Sequence, residues 1–192
     1  DAIASLVKTL RTANPGITYV CDPVIGDANG LYVPQVTAIA IRDKLLPLAD
    51  VATPNRFELA WLTGMPVLDN SAIMKAAQKL GVESTLVTTA HGMMSGSIGN
   101  LLLTPKVALL AEHRLVDGPS NGLGDLTSAL YAAHLLQGAS EEKGLKATVA
   151  SVFEVMARAS KRGSDELMLA EDANSLAHPM ALVQMRRLVV PK

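Results

Sequence analysis

The sequence predicts an α/β protein with a mostly parallel central sheet, helices on both faces and an antiparallel hairpin at one edge. The first observation is that apolar strands and helical segments alternate three times with short connections, which is typical of parallel sheets. The second is that two or three short apolar runs lie within 97–116, around Thr104-Pro105-Lys106, which predicts the hairpin. The third is that no repeat or linker interrupts the 192 residues, so a single domain over 1–192 is the simplest organisation.

The elements follow in order from local signals. An amphipathic helix opens the chain and ends near Asn14-Pro15-Gly16. Asn55 and Glu58 form a capping-box pattern at the start of a helix that Gly64 ends. The predicted helices are 36–46, 55–64, 71–80, 126–137 and 141–161, and the predicted strands before the hairpin are 17–24, 50–53 and 84–92. The tail from Gly163 onward gives no clear pattern.

Composition limits the classes of function. Apolar residues make up 49%, charged residues 18%, and the net charge is −1, so neither nucleic acid nor an anionic membrane is an expected partner. Cys21 is the single cysteine, which excludes an internal disulfide framework and a cysteine-based zinc site. These features predict a cytoplasmic protein. Because Asp1 already lies in a helical pattern, we expect the chain to lack its true N-terminus.

Polar residues follow the predicted strands. In open parallel sheets, ligands bind beyond the carboxyl ends of the strands, so these side chains should converge at one rim. Their oxygens suit Mg²⁺ that is held partly through water and substrate phosphates. The residues are Asp22 and Asp27, then Thr53, Asn55 and Glu58, then Thr88 and Thr89, and finally the segment 121–125.

Each of these residues also has a purely structural interpretation. Asp22 before Pro23 can initiate a turn, and Asn55 with Glu58 can be an ordinary capping box. Thr88 and Thr89 at a strand end are common β-formers. Their joint placement at successive strand ends, rather than any one residue, favours a binding site.

The stretch SNGLGDLTSAL (120–130) places two glycines and Asp125 ahead of an apolar helix. One interpretation is that Asp125 is the N-cap of that helix. The other is an anion hole of backbone N–H groups with a general base beside it. The sequence contains neither the P-loop pattern nor G-x-G-x-x-G after the first strand, so neither common nucleotide motif applies.

Four motifs resemble the pyridoxal kinases of the ribokinase-like fold in their order and spacing. They are YVCDPVIGD (19–27), LYVP (31–34), TPNRFELAWLTG (53–64) and NGLGDLTSAL (121–130). The last motif alone indicates only a ribokinase-like kinase, whereas the combination is more specific to the vitamin B6 kinases. The resemblance covers almost the whole chain and weakens after Gly163.

The resemblance implies ATP-dependent phosphorylation of the 5′-hydroxymethyl group of pyridoxal or a related B6 vitamer. Asp125 would be the catalytic base and would contact the substrate, and the N–H groups of Gly122, Leu123 and Gly124 would stabilise the transferring phosphoryl group. Leu123 stands where these kinases often carry Thr or Val, which removes a possible hydroxyl contact and leaves the backbone donors.

The resemblance also implies a nucleotide and metal site. Asp22 and Glu58 would hold Mg²⁺, partly through water, and Asn55 would help to organise the ion. Thr53 would lie close to the nucleotide or to a monovalent cation such as K⁺, and Thr88 would reach a phosphate. Arg114, Leu115 and Val116 would border the adenosine.

Beyond the site, the resemblance implies a homodimer. It also implies that the chain is the C-terminal two-thirds of a longer protein, and that the missing portion supplies much of the vitamin pocket. As an isolated fragment the chain is then expected to be poorly active. Three alternatives remain open: a hydroxymethylpyrimidine kinase of the same superfamily, a non-catalytic nucleotide-binding relative, and an α/β domain whose acids are only caps and turns.

Overall fold

The computed structural model of the protein describes residues 1–118 and 121–191. The helices are α1 Ala2–Ala13, α2 Gln35–Ala40, α3 Arg56–Thr63, α4 Asn70–Leu80, α5 Leu123–Leu136, α6 Glu141–Arg162 and α7 Ala173–Ala177. The strands are β1 Val20–Cys21, β2 Gly26–Asp27, β3 Gly30–Leu31, β4 Val51–Ala52, β5 Ser84–His91, β6 Ser97–Leu103, β7 Ala108–Arg114 and β8 Gln184–Leu188.

Six strands form one sheet in the order β1-β4-β5-β6-β7-β8, and β2 pairs with β3 in a separate antiparallel hairpin. Strands β1, β4 and β5 are parallel to one another, with Val20 opposite Val51 and Val51 opposite Ser84. This arrangement confirms the predicted α/β class. The predicted hairpin is β6–β7, closed by the Thr104 N–H donating to the Val107 carbonyl at 2.9 Å. The prediction that this hairpin lies at the edge of the sheet is wrong, because β8, in the tail beyond Gly163, takes the edge position next to β7.

Two predicted elements are shorter than the sequence pattern indicates. The strand predicted over 17–24 is reduced to Val20–Cys21, because β1 has a neighbour on one side only and Pro23 has no N–H to donate. The helix predicted over 36–46 starts as α2 and continues as a π-helical turn, Ile41–Leu45, and a 3₁₀ turn, Leu46–Leu48. Pro47 interrupts the regular i→i−4 hydrogen bonds there.

The described residues fall into two compact units. One unit comprises 1–90, 101–108 and the residues from 188, and its core includes Cys21, Ile25, Leu46 and Leu62. The other comprises 91–100 and 109–187, where α5 packs on α6 and buries residues such as Tyr131 and Leu145. None of the helices in the described ranges is both long enough and apolar enough to cross a membrane.

Candidate active site

The first turn of α3 carries the predicted capping box. The Asn55 Oδ1 accepts from the Glu58 N–H at 2.9 Å, and the Glu58 Oε2 accepts from the Asn55 N–H at 2.8 Å. Gly64 ends the helix in the left-handed conformation, at φ +65°. The structure therefore confirms the predicted N-cap Asn55, the predicted capping-box partner Glu58 and the predicted helix end at Gly64.

The same two side chains also bind the segment that follows β1. The Glu58 Oε1 accepts from the backbone N–H groups of Ile25 at 2.8 Å and Gly26 at 3.4 Å. The Asn55 Nδ2 donates to the Gly26 carbonyl at 2.8 Å. Glu58 is only 3% exposed, so its carboxylate serves as an internal acceptor that joins α3 to this segment.

The end of β5 meets the start of α3 as well. The Thr88 N–H donates to the Pro54 carbonyl at 3.0 Å, and Asn55 and Thr88 form an isolated parallel bridge. Thr89 has a left-handed φ of +56°, and its hydroxyl accepts from the Arg56 N–H at 3.2 Å. Within this unit the structure thus brings the segments that follow β1 and β4 together with Thr88 and Thr89, which lie inside β5 rather than after it.

Asp22, Asp27 and Thr53 also belong to the predicted group in this unit, and Asp27 lies in β2. Thr53 is 3% exposed, and its N–H donates to the Cys21 carbonyl at 3.1 Å. Asp22 is half-buried. Two residues later, Val24 has a left-handed φ of +45°, a strained conformation for a β-branched residue. Strained backbone therefore occurs just beyond β1 and near the end of β5.

The electrostatics of this cluster fit a cation. Burial raises the pKa of Glu58, the Asp22 charge adds to that rise, and the N–H donors of Asn55, Ile25 and Gly26 oppose it. A positive ion beside the two carboxylates would relieve both destabilising effects. The described residues contain no cluster of three or more His, Cys, Asp or Glu side chains that could hold a metal. Two carboxylates would supply only part of a Mg²⁺ coordination shell, with water and phosphate oxygens as the remaining ligands.

Gly26 is placed where a side chain would not fit, so we expect Gly26→Ala to destabilise the protein by about 2 kcal/mol. A Cβ at this position would lie 2.4 Å from the Gly30 carbonyl oxygen and 2.7 Å from Phe57 Cε1. The measurement is the free energy of unfolding in urea. Gly16→Ala is the matched control, because a Cβ there meets only Asn14 Oδ1 at 3.5 Å. Equal stability of the two variants would contradict the close approach at Gly26.

The other unit holds Asp125. Gly122 is the N-cap of α5 with φ +78°, and Asp125 is the third residue of the helix, so Asp125 is not the N-cap. Its carboxylate is exposed. The N–H groups at the start of a helix have no partners within that helix, so Leu123 and Gly124 can offer donors to an anion. The structural interpretation of Asp125 as a cap is therefore wrong. Ser120, which begins the stretch 120–130, lies outside the described residues, as does Pro119 before it.

A groove of about 630 Å³ opens in the same unit. Arg114 and Val116 line it, whereas Leu115 is 60% exposed and donates its N–H to the Gly96 carbonyl at 2.7 Å. The groove combines apolar side chains with cations from Arg158 and Lys161, which is a surface suited to an aromatic, anionic ligand. Its remaining lining residues are Phe153, Glu154, Ala157, Ser160, Met180 and Ala181.

His113 lies beside this groove, and its burial leads us to expect that the stability of the folded protein depends on pH. Burial lowers its pKa, against the opposing effect of the Arg114 carbonyl, and its ring packs on Phe153 with centroids 4.5 Å apart. Below about pH 6.5, the ordinary pKa of histidine, the unfolded chain binds a proton at His113 before the folded protein does. The folded protein therefore loses stability as the pH falls from about 6.5 towards the lowered pKa of His113.

We therefore expect His113→Phe, which keeps a ring beside Phe153, to reduce the fall in Tm between pH 7.5 and pH 5. At this chain length, each kcal/mol of unfolding free energy corresponds to a change in Tm of about 2–4 °C. Thermal melts across this pH range measure the effect. His178→Asn is the control because His178 is exposed, and its melts should follow the unaltered protein. If the fall in Tm between pH 7.5 and pH 5 is the same in His113→Phe as in the unaltered protein, His113 is not the source of the pH dependence.

Sequence reasoning did not find the carboxylates of Glu112 and Glu154, each of which accepts several hydrogen bonds. Glu112 is fully buried, accepts from the Met93 and Met94 N–H groups at 2.8 and 3.2 Å, and pairs with Arg186. The available signal was a single acid inside the apolar run ALLAEHR of β7. The other carboxylate, Glu154, accepts hydrogen bonds from Ser175, Met180 and Ala181 in the tail, which shows no clear pattern at the level of sequence.

Comparison with solved structures defines the fold. The pyridoxal kinase from Leishmania donovani in complex with ADP and pyridoxamine superposes with a TM-score of 0.89 over 97% of this chain and 69% of that one, at 23% identity. That likeness shows the ribokinase-like kinase fold.

Sequence comparison adds the family. A model described as phosphomethylpyrimidine kinase matches residues 1–170. The pyridoxal kinase PdxY of Corynebacterium diphtheriae is 32% identical over 98% of this chain and 69% of its own length, and that of Leifsonia xyli is 34% identical over 93% and 65%. The chain belongs to the family that this model describes and, with these relatives, to the pyridoxal kinases. It spans about two thirds of the length of these curated relatives.

Proposed function

We propose that the protein carrying this chain transfers the γ-phosphoryl group of ATP to the 5′-hydroxymethyl group of pyridoxal, giving pyridoxal 5′-phosphate, or of a related B6 vitamer, giving the corresponding 5′-phosphate. The observation that carries the proposal is the identity of 32–35% to pyridoxal kinases over almost the whole chain. Solved structures of the same fold, in complex with ADP and pyridoxamine or pyridoxine, are consistent with it.

The proposal gives Asp125 the role of general base. Its exposed carboxylate takes the proton of the vitamer hydroxyl while that oxygen forms a bond to the γ-phosphorus and the bond to the β-phosphate oxygen breaks, releasing ADP. The N–H groups of Gly122, Leu123 and Gly124, at the positive end of α5, stabilise the charge on the transferring group. Positioning and charge neutralisation, rather than covalent catalysis by the protein, supply most of the rate.

The proposal assigns nucleotide-binding roles to residues in each of the two units. Asp22 and Glu58 would hold Mg²⁺, partly through water, and the ion would neutralise phosphate charge. Asn55 and Thr88 would orient the phosphates, and Thr53 would contact the nucleotide or a K⁺ ion. The proposal has four further parts: Arg114, Leu115 and Val116 border the adenosine, residues 1–192 act as one kinase domain, the protein is a homodimer, and it works in the cytoplasm.

A second candidate is phosphorylation of a hydroxymethylpyrimidine, which the description of the matching family model favours. Turnover of the protein with ATP and Mg²⁺ against pyridoxal, pyridoxine, pyridoxamine and a hydroxymethylpyrimidine decides between the two. Higher kcat/KM for a B6 vitamer supports the first proposal, and higher kcat/KM for the pyrimidine replaces it. ATP binding without transfer to any of them would identify a non-catalytic relative.

A further inference from the structure

One wall of the groove is formed by Met180 and Ala181, in the tail between α7 and β8. The Glu154 Oε2, on α6, accepts from the N–H of Met180 at 2.6 Å and of Ala181 at 3.1 Å. The Glu154 Oε1 accepts from the Ser175 hydroxyl at 2.9 Å and from the Arg158 guanidinium at 3.1 Å. One carboxylate therefore ties two separate parts of the tail to α6.

We infer that Glu154 is a positioning residue of the nucleotide site, because its carboxylate fixes the Met180–Ala181 wall against α6 and so sets the width of the groove. The inference rests on the proposed function, which makes this groove part of the nucleotide site. Glu154 acts through the wall and needs no contact with the reacting atoms.

Hydrogen bonding rather than packing holds this wall. Met180 is 85% exposed and Leu182 is 94% exposed, so little apolar surface is buried at the wall itself. A segment with few buried contacts and no regular secondary structure opens at low free energy unless polar contacts retain it. The Glu154 carboxylate supplies such contacts, and they are charge-assisted.

The charge state of Glu154 is consistent with this role. Burial acts to raise the pKa of its carboxyl, but the Met180 N–H, the Ser175 hydroxyl and Arg158 together hold it below the ordinary value. The carboxylate is therefore ionised at neutral pH and can accept all of these hydrogen bonds. A Gln side chain has one carbonyl oxygen and would place an NH₂ group against donors on one side.

The same helix also holds the segment that carries Val116. The Ser160 hydroxyl donates to the Asp117 carbonyl, and a Cβ on Gly118 would lie 3.3 Å from Ser160 Cβ. α6 thus anchors both sides of the groove, one through Glu154 and the other through Ser160. A change at Glu154 alone should displace one wall while the other stays in place.

The test compares Glu154→Gln with Glu142→Gln, a control at an exposed position in the first turn of α6. We expect Glu154→Gln to raise the Kd for ADP and the KM for ATP about tenfold, to change kcat less than about twofold, and to speed amide exchange of Met180 and Ala181 at least about tenfold. Glu142→Gln should leave all four quantities unchanged. If Glu154→Gln proves unstable, Ser175→Ala takes its place in the test. This variant removes one donor and keeps the carboxylate, so we expect the Kd for ADP to change about twofold.

Faster exchange at Met180 and Ala181 with an unchanged Kd for ADP would overturn the inference, because the wall would then play no part in nucleotide binding. Unchanged exchange would overturn it too, since Glu154 would not be holding the wall. Failure of the proposed function has a different signature: the unaltered protein would bind ADP and transfer no phosphoryl group, or bind no ADP at all.

Discussion

Asp125→Asn is expected to lower kcat for vitamer phosphorylation by about 10²–10⁴-fold while leaving the Kd for ATP within about twofold. Asparagine matches aspartate in size and cannot accept the proton of the attacking hydroxyl. The fold should tolerate the change, because Asp125 is exposed and Gly122, not Asp125, is the N-cap of α5. Steady-state kinetics with pyridoxal and a separate ATP titration measure the two quantities.

The matched control is Asp165→Asn, an exposed aspartate in the tail, which should leave kcat unchanged. Thermal melts should show equal stability for both variants, which removes unfolding as an explanation. If Asp125→Asn retains more than about a tenth of the turnover, Asp125 is not the general base. The residue would then contribute only its favourable charge in the first turn of α5.

Glu58→Gln is expected to lower the free energy of unfolding by about 2–3 kcal/mol and the Tm by about 6–10 °C. The Glu58 carboxylate accepts from three backbone N–H groups, those of Ile25, Gly26 and Asn55. In either orientation the NH₂ group of glutamine faces at least one of these donors. Because Glu58 is 3% exposed, water cannot satisfy the N–H group that loses its acceptor.

Glu83→Gln is the control, since Glu83 is exposed at the start of β5 and should change the Tm by less than about 1 °C. The proposed metal role adds a second readout, because the KM for Mg²⁺ should rise in Glu58→Gln and not in the control. Unaltered stability of Glu58→Gln would show that the three hydrogen bonds contribute little. Altered stability with an unaltered KM for Mg²⁺ would limit Glu58 to a structural role.

Sequence reasoning succeeded where the determining interactions are local. The α3 capping box and its glycine stop involve residues within ten positions of one another, so the pattern alone specifies them. The proximity of the segments after β1 and β4 follows from the general geometry of parallel sheets, whereas Asn55 forms its bridge with Thr88 inside β5.

The remainder depended on distant contacts that leave little trace in the sequence. The strand predicted over 17–24 is short because of its position in the sheet, which its own residues do not encode. The tail gave no pattern because its order comes from α6, where Glu154 accepts from residues more than twenty positions away. A helical acid looks the same in the sequence whether it faces solvent or accepts from a later segment.

The left-handed backbone at Val24 has a consequence for laboratory evolution. Selection for heat resistance alone should favour glycine or asparagine at this position, since either residue adopts φ +45° more readily than valine. Lineages obtained in this way would gain thermal tolerance and lose rigidity beside Asp22. Selection for catalysis should return the β-branched side chain.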